Sequence, residues 1–211
     1  MNNFFLALMF VITLVSSASA VTYDMNESST NRDGILTPGT TGTFTPDLSW
    51  NTTISTAGDH YYGVFIDVDI DEQSNTFFNE YGVANGTAAN GQAWGIDDPY
   101  WGWIDDDFKH SDLWNTNYVP QGSEDDVSMA LAWDFTLLID QIASLSFVLS
   151  DIAPTSGFYL SHVDPDSNAS LFFSSTLAIR DVNVIPEPST FLLFGFSLAG
   201  FGIYLRKKRN A

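Results

Sequence analysis

Apolar and acidic residues alternate between Tyr62 and Asp71, and this alternation constrains the fold more than any other feature of the sequence. Apolar side chains occupy the even positions, whereas Asp67, Asp69 and Asp71 occupy odd positions. Because successive side chains of a β-strand point to opposite faces of a sheet, this period of two predicts a strand with one buried face. We expect the three aspartates to lie on the other face, exposed to solvent.

The same period indicates further strands along the middle of the chain. They are predicted at residues 48–54, 127–136, 143–149, 157–163 and 171–179. The polar stretch at residues 22–46 is interpreted as a loosely ordered lead-in or an edge strand. Away from the two ends of the chain, no segment shows the apolar period of a helix. We therefore predict an all-β fold, an antiparallel β-sandwich.

The N-terminal segment has the features of a signal peptide. Residues 4–15 are apolar, and the small residues Ala18 and Ala20 follow at the positions that a signal peptidase reads. We expect a signal peptide at residues 1–20, so that the exported chain begins at Val21.

The C-terminal segment predicts a single hydrophobic helix. Residues 191–205 are mostly apolar, and a basic cluster follows them, made of Arg206, Lys207, Lys208 and Arg209. Because such a cluster resists crossing a bilayer, the segment is interpreted as a stop-transfer sequence. At about 1.5 Å per residue it spans roughly 22 Å, which is short for a hydrocarbon core of about 30 Å.

Pro186, Glu187 and Pro188 stand just before this apolar segment. Together with the short helix and the basic end, they resemble the PEP-CTERM sorting signal of exported bacterial proteins. The resemblance implies processing by an exosortase, a transient inner-membrane intermediate and delivery to the cell surface or the extracellular space. The chain then divides into a signal peptide (1–20), an acidic all-β ectodomain (21–185) and a sorting signal (186–211).

The charge of the ectodomain excludes some partners. Of the 26 acidic residues, all but Glu187 lie in residues 21–185, where the basic side chains are Arg32, Lys109 and Arg180 alone. Nucleic acid is excluded as a partner, because phosphate binding requires a basic surface. The carboxylates either keep an exported protein soluble or offer ligands to divalent cations.

Residues 85–126 combine tryptophans with many acidic residues. Trp94, Trp101, Trp103 and Trp114 lie in this stretch. Indole rings beside carboxylates are typical of a saccharide-binding surface, since ring faces stack on sugars while carboxylates accept hydroxyl hydrogen bonds. The alternative is that the rings form a small secondary core. We favour it because tryptophan and tyrosine side chains in irregular segments are commonly buried.

Calcium is the one cofactor that the sequence suggests. The spacing of Asp67, Asp69 and Asp71 resembles the opening of a calcium loop. The later positions of that loop do not fit, because Glu72 and Phe78 stand where glycine and a bidentate carboxylate are required. The alternation therefore favours an exposed acidic strand face over a calcium loop.

No catalytic constellation is recognisable, and the chain has no cysteine. His60, His110 and His162 lack the spacing of metal-ligand motifs. We expect an exported protein that is not an enzyme, with a structural or adhesive role linked to exopolysaccharide. A calcium-assisted carbohydrate-binding module is the alternative, and a secreted hydrolase is a further one.

Overall fold

The computed structural model describes residues 21–72 and 75–182. The predicted signal peptide and the C-terminal helix lie outside them. Within the described residues no helix is both long enough and apolar enough to cross a bilayer.

The described chain folds into two β-sheets. The larger sheet contains β1 (Tyr23–Arg32), β2 (Ile35–Pro38), β3 (Gly42–Thr43), β5 (Gly58–Ile70), β7 (Gln92–Asp97), β8 (Thr116–Asn117) and β9 (Ser128–Leu137). The smaller sheet contains β4 (Leu48–Ile54), β6 (Tyr81–Asn85), β10 (Gln141–Ser150), β11 (Tyr159–Asp164) and β12 (Ala169–Asp181). A short helix α1 (Ile104–Lys109) and a 3-10 turn (Phe77–Asn79) complete the regular structure.

The strand order brings distant segments together. The larger sheet runs β2-β1-β5-β9-β7-β8, with β3 also paired to β1, and the smaller sheet runs β4-β10-β12-β11-β6. The pairs are antiparallel except for β7 with β8. The all-β prediction is confirmed, with two sheets that share one core.

The main core lies between the two sheets and follows from the alternation in the sequence. Even-numbered apolar residues of β5 face odd-numbered ones of β10 across this space. The largest fully buried members are Ile54, Ile66, Ile70, Ile96, Met129, Leu131, Leu137, Phe147, Leu149 and Phe173. Burying such side chains is the main favourable contribution to folding.

A second, smaller core lies on the outer face of the larger sheet. It joins residues of α1 and of the segment after it to side chains of β5 and β9, namely Tyr61, Phe65, Ile104, Phe108, Leu113, Ala130 and Ala132. The ring of Phe108 fits because Gly63 has no side chain, since a Cβ there would lie 2.8 Å from Phe108 Cε2. The segment between β7 and β9, residues 98–127, is therefore fastened across the outer face of the sheet.

The strand registers define two ends of the domain. At one end Gly58 pairs with Leu137, and after the following turn Gln141 pairs with Asp181. The chain leaves the described part beside these residues, so we call this the exit end. At the other end, the distal end, Asp67 pairs with Ser128.

The strands predicted at residues 48–54, 127–136, 143–149, 157–163 and 171–179 are confirmed by β4, β9, β10, β11 and β12. Residues 22–46 are not a loosely ordered lead-in, because they form β1, β2 and β3. The alternative of an edge strand holds for β2, which ends the sheet order, whereas β1 lies inside the sheet between β2 and β5. A bulge between Met25 and Glu27 interrupts the register of β1, which removes the simple alternation from its sequence.

Candidate functional site

Two aspartates at the end of β7 organise the turn that follows. Asp97 accepts hydrogen bonds from the backbone N–H of Asp98 at 3.0 Å and of Trp103 at 2.8 Å. Asp98 Oδ1 accepts hydrogen bonds from the backbone N–H of Tyr100 and of Trp101, both at 2.7 Å. Because these carboxylates replace missing backbone partners, the turn has a defined conformation without regular secondary structure.

Gly102 allows the turn to close over these carboxylates. A Cβ at this position would lie 2.3 Å from Asp97 Cγ and 2.4 Å from the carbonyl oxygen of Asp98. The backbone of Gly102 in turn donates to that same carbonyl at 3.0 Å. Since the inner side of the turn is filled by carboxylate and backbone, the side chains of Trp101 and Trp103 are directed outward.

A second stretch of the same segment lies along β7. Asn115, at a positive φ of 57°, accepts a hydrogen bond from the Trp94 N–H through its side chain and donates its own N–H to the Trp94 carbonyl. Tyr118 donates its N–H to the carbonyl of Ile96 at 2.9 Å. This stretch places Trp114 and Tyr118 beside Asp97, at the start of the turn that carries Trp101 and Trp103.

Five aromatic side chains of the 98–127 segment are therefore exposed, and we call them the aromatic surface. They are Tyr100 (76% exposed), Trp101 (86%), Trp103 (71%), Trp114 (65%) and Tyr118 (60%). The expectation of a secondary core made from these tryptophans is wrong, because Ile104, Phe108 and Leu113 form that core instead. Trp94 does not belong to the aromatic surface, since it packs on Phe158 with ring centroids 5.7 Å apart.

A shallow depression lies within the aromatic surface. Trp101 and Tyr118 line it together with Asp98, Glu124 and Asp125. Each of these three carboxylates accepts a hydrogen bond from a backbone N–H. The depression thus combines ring faces with fixed oxygen acceptors, which is an arrangement suited to sugar hydroxyls.

Three other aspartates form a buried group near the distal end, which we call the acidic cluster. Asp67, Asp69 and Asp126 each place one carboxylate oxygen within 4.8 Å of the other two. The expectation that Asp67 and Asp69 are exposed is wrong, since both are 3% exposed. Asp71 is outside the cluster, in the turn after β5, where its Oδ1 accepts a hydrogen bond from Thr22 Oγ1.

The environment of the acidic cluster disfavours ionised carboxylates. Burial, followed by repulsion from Asp126 and Asp69, raises the pKa of Asp67 to about 8. Burial, followed by repulsion from Asp69 and Asp98, raises the pKa of Asp126 to about 7. Burial is also the largest cause of the raised pKa of Asp69. Without a positive partner, the cluster therefore retains protons at neutral pH.

His162 and Glu80 form a second buried polar group close by. Glu80 is hydrogen-bonded to His162 Nε2 through one oxygen, and its other oxygen accepts the N–H of Ile70 at 3.2 Å. This pair connects β11 of the smaller sheet to β5 of the larger one. Its contacts indicate a structural role at the distal end.

From the sequence, Asp126 is only one of several acidic residues that could join Asp67 and Asp69, and Tyr100 and Tyr118 accompany the tryptophans of residues 85–126 without being predicted as site residues. The run of acids at residues 124–126 was the available signal for Asp126. What selects Asp126 from that run is the pairing of β5 with β9.

Comparison with known proteins identifies the C-terminal segment. Residues 184–209 match the family model described as the PEP-CTERM protein-sorting motif. The comparisons with curated proteins and with solved structures gave no match. The motif confirms the resemblance found in the sequence, and it marks an exported protein that an exosortase processes for sorting to the cell surface. The matched residues lie outside the described β-domain.

Proposed function

We propose that the protein is a non-catalytic adhesive module that binds polysaccharide at the cell surface through its aromatic surface. The observation that carries the proposal is the exposure of five aromatic side chains on one short segment. Exposed aromatic side chains concentrated in one segment are typical of a binding surface, because a ligand that covers them removes apolar area from water. A sorting signal for the cell surface brings such a site to the envelope, where polysaccharide is abundant.

The scaffold beneath the rings supports binding by a preformed surface. Asp97 and Asp98 fix the turn that carries Trp101 and Trp103, while α1 fastens the same segment to the sheet. A surface that is already ordered loses little conformational entropy when a ligand binds. Extended sugar polymers, which offer repeated apolar faces, fit an array of separate rings better than a deep pocket does.

The chemistry of the depression favours binding over hydrolysis. Glycoside hydrolysis uses a pair of carboxyl groups free to donate and accept protons on either side of the bond. The carboxylates of Asp98, Glu124 and Asp125 instead accept hydrogen bonds from backbone N–H groups of their own loops. Such carboxylates act as fixed acceptors for hydroxyl groups.

Replacing Trp101, Trp103 and Trp114 together by alanine is expected to abolish most of the polysaccharide binding. Each ring contributes about 0.5–1.5 kcal/mol, so the combined loss is roughly a hundredfold in affinity. Affinity gel electrophoresis with the exopolysaccharide of the host, followed by a glycan array, measures the effect. Phe78→Ala is the matched control, because Phe78 is an exposed ring (58%) outside the aromatic surface.

Two results would overturn this proposal. Wild-type protein that binds none of the polysaccharides contradicts it directly. A triple variant that binds as tightly as the Phe78→Ala control shows that the rings are not the site. Circular dichroism of each variant establishes that the fold is retained.

A further inference from the structure

The acidic cluster has a rigid construction. Asp67 and Asp69 are two positions apart on β5, so their side chains share the outer face of the larger sheet. Asp67 is paired with Ser128 of β9, and continuing this antiparallel register places Asp126 opposite Asp69. β5 lies between β1 and β9 within the sheet, which fixes the backbone beneath two of the three carboxylates.

Each member of the cluster has an oxygen without a partner. Asp67 and Asp69 are 3% exposed and Asp126 is 2% exposed. Within the described residues, the Oδ1 atom of each makes no hydrogen bond. A buried polar atom without a partner is costly, and such atoms in a folded protein usually indicate a bound water or ion. Three of them in one group indicate a shared partner.

Within residues 21–72 and 75–182, the basic side chains supply little positive charge to this group. Arg32 lies 4.0 Å from Asp33, and Lys109 pairs with Asp105 on the surface of α1. Arg180 lies near the exit end, where it is opposite Ile142 in the pairing of β10 with β12. His162 is the basic side chain whose charge would act on Asp69 and Asp126, and its Nε2 is already hydrogen-bonded to Glu80.

We propose that Asp67, Asp69 and Asp126 bind one calcium ion. Ca²⁺ is a hard cation that takes oxygen ligands at about 2.3–2.6 Å, so two oxygens on one ion lie at most about 5 Å apart. The carboxylate oxygens of the cluster, within 4.8 Å of one another, already meet that limit. Asp67 and Asp126 have raised pKa values, and the cation takes the place of the protons that their carboxyl groups would otherwise retain. This site differs from the calcium loop suggested by sequence, because Asp126 takes the place of Asp71.

Calcium titration of the full-length protein tests the proposal. The protein is purified in mild detergent, stripped with EDTA and titrated with CaCl₂ in a calorimeter. Wild type should bind one ion per chain, and its melting temperature should rise by roughly 5–10 °C at about a hundred times Kd. The variant Asp67→Asn/Asp69→Asn/Asp126→Asn should bind calcium more than about a hundredfold more weakly, since even losing a residue that only orients a ligand costs about 10- to 100-fold.

Melting in EDTA separates a ligand role from a purely structural role. Without calcium the triple variant should melt at or above wild type, because amides remove the repulsion between buried carboxylates. With calcium the order should reverse. Asp106→Asn/Asp140→Asn/Asp151→Asn, which removes three exposed charges, serves as the matched control and should behave as wild type in both conditions.

Three results would overturn the proposal. The first is the absence of calcium binding by wild type, which would mean that the cluster shares protons instead. The second is equal binding by the triple variant. The third is an equal rise in melting temperature with NaCl at matched ionic strength, which would indicate charge screening. A MgCl₂ titration completes the series, and tighter binding of magnesium would reject the assignment to calcium.

Discussion

Replacing Pro186, Glu187 and Pro188 together by alanine is expected to leave the full-length protein in the inner membrane and to abolish its surface form. The prolines hold their φ angles near −65°, and the intervening carboxylate is a charged group that an enzyme can recognise. A simple anchor requires only the apolar span and its basic flank. The substitution should therefore preserve insertion while it prevents processing by the exosortase.

Cell fractionation and the intact mass of the surface protein measure this outcome in a host that contains an exosortase. Asn183→Ala/Asn210→Ala is the matched control, because both positions lie outside the matched residues 184–209. Deletion of Arg206 to Arg209 should have a different effect, namely loss of tail retention and orientation. A triple-alanine protein that reaches the surface and loses its tail at the wild-type rate would show that residues 191–205 are only a short anchor.

Phe108→Ala should lower the free energy of unfolding by about 3–5 kcal/mol, which is a large part of the 5–15 kcal/mol typical of a domain. Phe108 is fully buried, and its ring lies 5.9 Å from that of Phe65. Its carbonyl accepts a hydrogen bond of 2.6 Å from Asn31 Nδ2. Losing the ring removes its packing contacts and leaves a cavity where α1 is attached to the sheet.

Urea denaturation followed by circular dichroism measures the loss of stability. Because α1 fastens the segment that carries the aromatic surface, Phe108→Ala should also weaken polysaccharide binding. Phe78→Ala, an exposed phenylalanine, should change the stability by no more than about 0.5 kcal/mol. If the free energy of unfolding of Phe108→Ala lies within about 1 kcal/mol of the wild-type value, then α1 does not anchor the segment.

The sequence predicts strands where one face is buried against the main core. β4, β9 and β10 have this alternation, and they were predicted within a few residues. β1 was not, because its buried positions include polar Ser28 and Asn31 as well as Tyr23. Asn31 is fully buried because it binds the carbonyl of Phe108, a partner far away in the sequence. No local pattern contains that information.

The candidate sites were predictable in composition and not in arrangement. The tryptophans and acids of residues 85–126 are evident in the sequence, but their exposure depends on which groups fill the inner side of each turn. Asp97 and Asp98 fill it, so Trp101 and Trp103 are directed outward. In the same way Asp67 and Asp69 were evident, whereas their third partner depends on the pairing of β5 with β9.

The separation of the exit end from the distal end determines how the protein can be attached to a surface. β5 begins with Gly58 at the exit end and reaches Asp69 eleven positions later, which is roughly 36 Å along the strand. A linkage through residues after Val182 therefore holds the domain by the end remote from the acidic cluster. A sensor chip or bead coupled to the C terminus should leave that end facing the bulk solution, where soluble polymer and calcium have free access.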